Sequence, residues 1–379
     1  MADLWLAPDQ LFDGERLHAG LGIRLASGRV AEIAKAPPGA RPLKGTITPG
    51  FLDLQVNGGG DVLLNADPSA AGIARILAAH RRFGTVGVMP TVITDAPEVL
   101  EAAAEAALAA RDQPGMLGLH IEGPHISMPR RGTHAARYVR PLSAETIALV
   151  TRLRAAGLAV MITVAPEATD AAGIAALAAT GAIVSLGHSD ATAEEVRGAL
   201  EAGARCFTHL FNAMSPMLNR APGVVGAAIN SEAHAGIIVD GVHVADEMVA
   251  LALRARPVAD RMFLVSDAMP TVGGRPSFTL YGEEIRVEDG RLVNHEGSLA
   301  GAHVTIADSL ARLVTRIGLA PEAALRMAVT VPAGLIGAPA LAGLLGRAAE
   351  DVLLLAPDWR YAGNLGEIAA PSPASQPGR

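Results

Sequence analysis

The chain has 379 residues, half of them hydrophobic and 18% charged, and its net charge at pH 7 is −7. These charges are spread along the chain without a block of basic residues, so we do not expect nucleic acid to be a partner. The length exceeds that of a small single-core domain and suits one (β/α)8 barrel with a small additional domain.

Cysteine content and hydropathy bear on where the protein resides. The single cysteine, Cys206, cannot form a disulfide within the chain, and the opening MADLWLAPDQ lacks the basic stretch and apolar run of a secretory signal. Both features predict a cytoplasmic protein. The uncharged stretch from Met327 to Gly346 is long enough to span a bilayer, but Pro332, Pro339 and several glycines divide it into short pieces. We therefore expect no membrane partner.

The two ends of the chain share a β-rich pattern. The first 48 residues form short alternating runs separated by glycines, and residues 346–368 have the same character. We predict that these two segments pair into one small β-sandwich domain. The intervening residues 49–345 form the predicted barrel, and residues 369–379, which are rich in proline and serine, are predicted to be disordered.

Eight β-rich runs, each followed by a polar or glycine-containing turn, fill the middle of the chain. In order they are ITPGFLDLQVNG, TVGVMPTVIT, MLGLHIEGPHI, AVMITVAPE, AIVSLGHSD, ARCFTHLFNAM, AGIIVDGVHV and RMFLVSDAMP. Several intervals carry helix signatures, such as the capping box of Thr192 and Glu195. This alternation predicts an α/β fold, a (β/α)8 TIM-like barrel, whose active site lies at the carboxyl ends of the strands.

A doubly wound open sheet is the structural alternative to the barrel. It is disfavoured because no G-x-G-x-x-G follows the first strand, and because the candidate chemical residues recur on many strands. After the eighth run, the segment GGRPSFTLYGEEIRVEDGRLVNHEGSLAG is typical of a hairpin insertion that leads to a glycine-rich loop. Its place in the chain predicts that it lies over the mouth of the barrel.

Metal-binding side chains follow several of these strands. Glu122 directly follows the third run, where an unpaired carboxylate would be costly to bury unless a cation compensates its charge. His188 follows the fifth run and His209 lies in the sixth, while His125 and His243 end the third and seventh. Any one histidine alone could be a hydrogen-bonded structural residue. A carboxylate with two imidazoles, Glu122, His188 and His209, suits Zn²⁺ or Fe²⁺ and leaves a position for water.

Asp267 ends the eighth predicted strand, in FLVSDAMP, and should face the same cavity. A carboxylate there could take a proton from water as it attacks a carbonyl and return that proton to the departing amine. The alternative is a helix N-cap, because aspartate is common at that position and the chain turns at Pro270. Position alone does not decide between the two.

The runs resemble the N-acetylglucosamine-6-phosphate deacetylases, a family of the amidohydrolase superfamily. The resemblance rests on ITPGFLDLQVNG, GLHIEGPH with RRGTHAA, SLGHSDAT, THLFNAMSP, IIVDGVHV and LVSDAMP, and it extends over nearly the whole chain in the family's order. It implies that Glu122, His188 and His209 bind the metal and that Asp267 is the catalytic acid and base.

The resemblance also implies how many metals the site holds. Most amidohydrolases carry His-x-His at the end of strand one, where a first metal binds, but this sequence has Gln55 and Asn57 at that place. In this respect it is similar to the branch of these deacetylases with one metal per site. We therefore expect one divalent metal per subunit, with Zn²⁺ as the first choice and Fe²⁺ or another divalent ion as the alternative.

Substrate-binding residues follow from the same resemblance. His134 in GTH would help to polarise the acetyl carbonyl, and Thr133 would lie beside the sugar. The positions that match the phosphate-binding residues and the loops of the sugar pocket are Asn212, Ala213, Arg220, Asp240, His243, Leu299, Ala300 and Gly301. Arg220 matches a residue that reaches across from a second subunit, which implies a homodimer. His125 has no catalytic counterpart in the family.

The resemblance implies metal-dependent hydrolysis of N-acetylglucosamine 6-phosphate to glucosamine 6-phosphate and acetate, in amino-sugar catabolism or cell-wall recycling. The sequence does not distinguish this substrate from N-acetylgalactosamine 6-phosphate. One alternative is another amidohydrolase on the same scaffold, such as a cyclic-amide hydrolase or an N-acyl amino acid deacylase, since fold does not fix substrate. Another alternative is a catalytically silent barrel that acts as a binding module.

Overall fold

The computed structural model describes residues 3–295 and 299–370. Five strands open the chain: β1 (Leu4–Phe12), β2 (Leu17–Ala19), β3 (Leu21–Ala26), β4 (Arg29–Lys35) and β5 (Arg41–Pro49). Strand β1 pairs antiparallel with β2 and β3 and parallel with β5, while β3 pairs antiparallel with β4. Apolar side chains from one face of this sheet, among them Leu6, Ile23 and Ile47, form a core separate from that of the barrel.

Strands and helices then alternate through the body of the chain. In order they are β6 (Phe51–Val56), β7 (Gly58–Gly59), β8 (Val62–Leu63), α1 (Ala70–Arg81), β9 (Thr85–Ile93), α2 (Pro97–Ala110), β10 (Leu119–Glu122), α3 (Ala144–Ala155), β11 (Val160–Val164), α4 (Ala171–Ala179), β12 (Ile183–Leu186), α5 (Ala193–Glu201), β13 (Cys206–Phe207), α6 (Gly223–Ile229), β14 (His234–Ile237), α7 (Asp246–Ala255) and β15 (Met262–Leu264). Short 3-10 helices at Met128–Arg130, Ala136–Tyr138 and Pro166–Ala168 lie in the loops.

Strands β6 and β9 to β15 form an eight-stranded parallel sheet in which each strand lies beside its neighbour in the sequence. The two edge strands approach each other just beyond their ends, where the Asn57 amide donates to the Ala268 carbonyl at 2.9 Å and the Asp267 amide donates to the Gln55 carbonyl at 3.0 Å. These bonds close the barrel. Each of the eight predicted runs overlaps one of its strands, so the barrel prediction is confirmed.

Local sequence explains where these elements begin and end. All nine residues of β9 are buried, as expected for an apolar strand covered on both faces. Helix α5 begins with the predicted capping box, in which the Thr192 side chain accepts from the Glu195 amide and the Glu195 carboxylate accepts from the Thr192 amide. Helix α2 begins at Pro97, which needs no hydrogen-bond acceptor in the first turn.

The insertion after the eighth strand is a small antiparallel sheet. Its strands are β16 (Ser277–Leu280), β17 (Glu283–Glu288) and β18 (Arg291–Val293), so the predicted hairpin has a third strand. The insertion packs Leu280, Ile285 and Leu292 against Ile93 at the end of β9 and Met269 after β15, in agreement with a position over the mouth. Part of the predicted glycine-rich loop, residues 296–298, lies outside the described residues.

The chain returns from the barrel to the first sheet. Its last elements are α8 (Ile306–Arg312), α9 (Pro321–Leu325), α10 (Val331–Leu335), β19 (Val352–Leu355), β20 (Tyr361–Asn364) and α11 (Leu365–Ala369), with π-helical turns at Leu313–Ile317 and Arg326–Thr330 and 3-10 helices at Pro339–Ala342 and Ala349–Asp351. Strand β19 pairs antiparallel with β5 and β20, so both chain ends contribute to one seven-stranded sheet. The predicted fold class is confirmed. The domain boundaries stay a prediction, as does the disordered tail, whose residues 371–379 are not among those described.

The uncharged stretch near the C-terminus forms several short helical segments, which are divided as its prolines and glycines predict. Within residues 3–295 and 299–370, no helix is both long and apolar enough to cross a membrane.

Candidate functional site

One cavity at the carboxyl ends of the barrel strands brings most of the predicted site residues together. Four of them come from four different strand ends: Glu122 from β10, His188 after β12, His209 after β13 and Asp267 after β15. The side chains that line the cavity are Asn57, Ile93, Glu122, Gly132, Thr133, His134, His188, His209, Asn212, Ala213, His243, Asp267, Met269, Leu299 and Gly301. Parallel strands place their ends at one edge, which is why residues so distant in sequence meet there.

The backbone is in the left-handed region at three of these strand ends. The φ angles are +48° at His188, +31° at His209 and +51° at Asp267, values that cost a non-glycine residue about 1–3 kcal/mol each. Such conformations persist only where the surrounding fold enforces them. At each position the turn directs the side chain into the cavity as the chain leaves the strand.

Glu122, His188 and His209 converge on a common point. Oε1 of Glu122 lies 3.0 Å from Nε2 of His209 and 3.3 Å from Nε2 of His188, and the two imidazole nitrogens are 3.1 Å apart. Nδ1 of His188 donates to the Arg130 carbonyl at 2.9 Å, which leaves Nε2 with its lone pair free to bind a metal. One carboxylate oxygen and two imidazole nitrogens form a donor set suited to a divalent ion such as Zn²⁺ or Fe²⁺.

His134 lies beside this set. Ligand atoms of Glu122, His134 and His188 all lie within 4.8 Å of one another, so these three residues also form a group that could hold a metal. The His134 and His188 rings are 4.3 Å apart, centroid to centroid. We prefer the set with His209, because its three ligand atoms lie within 3.3 Å of one another.

The titratable groups at the centre of the cavity have shifted pKa values. Burial acts to raise the pKa of Glu122, but hydrogen bonds from His188 and His209 outweigh it and hold the pKa well below its usual range. Asp267 shows the opposite result, since burial and then the nearby charge of Glu122 raise its pKa. Burial and the neighbouring His188 lower the pKa of His134 well below its usual value, so that this imidazole is neutral. Perturbed groups of this kind concentrate in functional sites.

Gln55 bridges the two carboxylates, and Asn57 contacts one of them. Nε2 of Gln55 donates to Oε1 of Glu122 at 3.0 Å and to Oδ1 of Asp267 at 3.1 Å, while Nδ2 of Asn57 donates to the same Asp267 oxygen at 2.7 Å. An amide nitrogen has no lone pair for a metal. Asp267 therefore accepts from side chains of β6 and its following turn, and no helix follows it that it could cap.

Three of the predicted phosphate-binding residues, Asn212, Ala213 and His243, also line the cavity. Nδ1 of His243 donates to Oδ2 of Asp240 at 2.6 Å, and Oδ1 of Asp240 accepts from the amides of Val242 and His243 at 2.8 Å each. Asp240 thus fixes both the loop and the imidazole, and leaves Nε2 of His243 available to a ligand. Burial acts to raise the pKa of Asp240, but the hydrogen bond and charge of His243 and the two backbone amides together outweigh it, so the pKa is lowered.

Not every predicted substrate residue reaches the cavity. Thr133, Asn212, Ala213, His243, Leu299 and Gly301 line it. Ala300 is buried behind the lining, where its amide donates to the Leu292 carbonyl at 3.1 Å. Arg220 is exposed in the loop before α6, away from the cavity, and makes no ion pair within the described part of the chain.

His125 has a structural explanation. Its Nδ1 lies 3.0 Å from the Arg140 carbonyl, and its Nε2 lies 3.0 Å from the hydroxyl of Thr146 in α3. Burial lowers its pKa to about 4. His125 therefore joins the loop after β10 to α3 and takes no part in lining the cavity.

Sequence reasoning missed several residues of the site. Ile93, Gly132 and Met269 line the cavity, and Thr94 lies beneath its wall with its hydroxyl 2.7 Å from Nδ1 of His134. The signal for Thr94 was its position directly after the second predicted strand, in TVGVMPTVIT, but threonine at a strand end is too common to single out.

Known proteins share both the sequence pattern and the fold. Residues 46–347 match the amidohydrolase family. An N-acetylgalactosamine-6-phosphate deacetylase of Shewanella sp. (strain ANA-3) is 39% identical over 90% of this chain and 87% of its own length, and an N-acetylglucosamine-6-phosphate deacetylase of Haemophilus influenzae is 33% identical over 77% of each. The crystal structure of N-acetylglucosamine-6-phosphate deacetylase from Pasteurella multocida has a TM-score of 0.87 at 31% identity, covering 96% of this chain and 97% of that one. Proteins of the amidohydrolase family typically depend on divalent metals, which agrees with the convergent donor set described above.

Proposed function

Because this chain belongs to the amidohydrolase family, we propose that it hydrolyses the acetamide of N-acetylglucosamine 6-phosphate, releasing glucosamine 6-phosphate and acetate. The observation that carries the proposal is one cavity that holds the convergent metal-binding set, the restrained carboxylate Asp267 and the His243 imidazole. The first two suit hydrolysis of an amide, and the third suits an anionic end of the substrate. This reaction serves amino-sugar catabolism or cell-wall recycling, and the single buried cysteine favours a cytoplasmic setting.

The proposed cofactor is one divalent metal per subunit, Zn²⁺ in the first instance and Fe²⁺ as the alternative. Glu122, His188 and His209 would hold it. When bound, the ion would polarise the acetyl carbonyl and make the attacking water more acidic. A second ion is not proposed, because the amides of Gln55 and Asn57 already donate to the carboxylates at the place where a first-metal His-x-His would stand.

Asp267 moves the proton in this proposal. Its carboxylate lines the same cavity as the metal-binding set, and it takes a proton as the water oxygen forms its bond to the acetyl carbon. The bond between that carbon and the amide nitrogen then breaks. Asp267 returns its proton to the nitrogen, so that the amine leaves in a neutral form and acetate retains the water oxygen.

His134 faces the acetyl oxygen. A neutral imidazole carries a proton on one nitrogen only, and a proton on Nε2 would let His134 donate to the oxygen as negative charge develops there. Thr133 and the loop from Leu299 to Gly301 line the cavity beside this position, where the sugar ring would lie.

The phosphate would bind to His243, which Asp240 orients, and to the turn that carries Asn212 and Ala213. Among the described residues that line the cavity, His243 is the one basic side chain outside the metal-binding set and His134. A dianionic phosphate calls for more positive charge than one imidazole. Arg220 is exposed and makes no ion pair with the described residues of its own chain. We infer that it supplies that charge to the neighbouring site of a homodimer.

An acetate-release assay tests the proposed function. N-acetylglucosamine 6-phosphate should be hydrolysed much faster than its unphosphorylated form, and the same sample should contain about one divalent metal per chain. Equal rates on both sugars would favour another amidohydrolase, such as a cyclic-amide hydrolase or an N-acyl amino acid deacylase. No acetate release and no bound metal would favour a catalytically silent binding module.

N-acetylgalactosamine 6-phosphate is the second candidate substrate. The Shewanella relative, at 39% identity, is named for that sugar and supports testing it beside the first. The two sugars differ only in the orientation of the hydroxyl at C4, so both present the same acetamide and phosphate to the residues discussed above. The ratio of kcat/KM for the two phosphorylated sugars in the same assay decides which is preferred.

A further inference from the structure

Thr94 is a buried threonine that makes three hydrogen-bonding contacts and has no role in the mechanism proposed above. It directly follows β9, and its hydroxyl lies 2.7 Å from Nδ1 of His134 and 3.3 Å from the Glu122 carbonyl. Its own carbonyl accepts from the phenol of Tyr281 at 2.5 Å. Thr94 therefore touches the loop that carries His134, the end of the strand that carries Glu122 and the insertion over the mouth.

The space around this hydroxyl is restricted. A Cβ built on Gly123 would lie 2.2 Å from the Thr94 hydroxyl oxygen, so only glycine at position 123 leaves room for it. Gly123 also has a φ of +82°, in the left-handed region that glycine adopts without strain. The hydroxyl is thus held close to Nδ1 of His134 from one side and faces backbone on the other.

The number of hydrogens on Thr94 and His134 limits how the two groups can bond to each other. A neutral imidazole has one N–H, and a threonine hydroxyl has one hydrogen to donate. If Thr94 donates to Nδ1 of His134, the imidazole proton is on Nε2 and points into the cavity. If Thr94 donates to the Glu122 carbonyl, Nδ1 must carry the proton, and Nε2 becomes a lone pair that could bind a metal beside Glu122 and His188.

The distances favour the first arrangement, because the contact with His134 is 0.6 Å shorter than the contact with the Glu122 carbonyl (2.7 Å against 3.3 Å). We propose that Thr94 is a positioning residue, which holds His134 with its proton on Nε2 so that it donates into the cavity, and that Tyr281 of the insertion holds Thr94 in place. This inference rests on the proposed function, since it deepens the role of His134 in that reaction.

Tyr281 is suited to hold Thr94. It lies in the turn between β16 and β17 with a φ of +51°, and its side chain packs with the apolar cluster that includes Ile93, the residue before Thr94. Burial raises the pKa of its phenol well above the usual value, so the group remains a hydrogen-bond donor throughout the pH range of an assay. Two residues therefore connect the insertion to His134.

Substitution at Thr94 tests the proposal in the metal-loaded enzyme. Thr94→Val removes the hydroxyl and keeps the shape, so kcat should fall about 10- to 100-fold while KM changes by less than about twofold. Thr94→Ser restores the hydroxyl and should keep kcat within about threefold of wild type. Tyr281→Phe should lower kcat in the same direction by a smaller factor. Thr85→Val is the matched control, because Thr85 begins the same strand and its buried hydroxyl has no hydrogen-bond partner among the described residues.

A measurement independent of turnover separates this proposal from the proposed function. Long-range ¹H–¹⁵N spectra of histidine-labelled holoenzyme, with His134 assigned by comparison with His134→Gln, report which ring nitrogen carries the proton. We expect Nε2–H in wild type and Thr94→Ser and a mixture in Thr94→Val. Wild-type kcat in Thr94→Val, equal losses in Thr94→Val and Thr94→Ser, or an Nδ1–H signal in wild type would each overturn the proposal. An inactive wild type with an Nε2–H signal would instead count against the proposed function alone.

Discussion

Asn57 donates its side-chain amide to Oδ1 of Asp267 at 2.7 Å, a shorter contact than the 3.1 Å one from Gln55 to the same oxygen. In a buried site a hydrogen bond to a charged group contributes about 1.5–3 kcal/mol. The bond therefore fixes the carboxylate that we propose as acid and base.

Replacement of Asn57 by alanine should lower turnover. The loss of one donor to a buried carboxylate predicts a fall in kcat of about 10- to 100-fold, with metal content unchanged. Steady-state acetate release and metal analysis of the same sample measure both. Asn230→Ala is the control, because it removes an amide that bonds the Gly226 carbonyl outside the cavity and should leave kcat unchanged. A wild-type kcat in Asn57→Ala would show that Asp267 needs no such restraint.

Loss of a proposed ligand should release the metal. His209→Gln removes the imidazole nitrogen 3.0 Å from Glu122, and we expect its metal affinity to fall by at least about 100-fold. Metal content after dialysis against a weak chelator measures this directly. His125→Gln is the control, since His125 bonds Arg140 and Thr146 away from the cavity. Equal metal content in His209→Gln and wild type would remove His209 from the ligand set, and an equal loss in both variants would point to general unfolding.

Asp240 should act on the phosphate through His243. In Asp240→Asn the imidazole loses the charged carboxylate that accepts its Nδ1–H at 2.6 Å, so the ring is held less firmly toward the phosphate. We expect KM for the phosphorylated sugar to rise about tenfold or more and the rate on the unphosphorylated sugar to stay the same. Asp246→Asn breaks an ion pair with Arg312 outside the cavity and is the matched control. A proportionate effect on both sugars would separate His243 from phosphate recognition.

Stability should depend on pH through His80. Burial lowers its pKa to about 4, and the ring donates to the Gly58 carbonyl at 2.9 Å. Between about pH 6.5 and 4 the unfolded chain binds a proton that the folded chain does not, so this contribution to stability is fully present above about pH 6.5 and is lost at about 1.4 kcal/mol per pH unit as pH falls.

Denaturant unfolding of wild type and His80→Gln, both with chelator to remove any effect of the metal, measures that slope. Glutamine can still donate to the carbonyl but does not titrate, so the free energy of unfolding of the variant should fall less steeply between pH 6.5 and 4 than that of wild type. Parallel slopes would mean that His80 does not stay neutral in the folded protein.

The barrel could be predicted from the sequence because each strand has a local pattern, an apolar run that ends in a polar turn. Glu122, His188 and His209 were predictable for the same reason, since residues at the ends of successive parallel strands must meet. Asp267 was not, because an aspartate after a strand caps a helix as readily as it faces a cavity. The hydrogen bonds that Gln55 and Asn57 donate to its carboxylate were needed to show that it faces the cavity.

Contacts that depend on the packing of the insertion or on a second subunit could not be predicted. The bond from Tyr281 to Thr94 joins residues 187 positions apart through an insertion whose packing no local pattern specifies. The proposed role of Arg220 could not be found from local patterns either, because it requires a contact with a second subunit. In both cases the residue type is ordinary and only the tertiary or quaternary placement makes it relevant.

Asp267 is the residue on which the proposed reaction depends most directly. Acetate release from N-acetylglucosamine 6-phosphate should be measured for wild type and Asp267→Asn, with the metal content of each sample determined alongside. We predict that the variant retains about one metal per chain and loses turnover by about 10²- to 10⁴-fold, because the asparagine keeps the shape but cannot take the proton. Turnover equal to that of wild type in the metal-loaded variant would contradict the proposed mechanism.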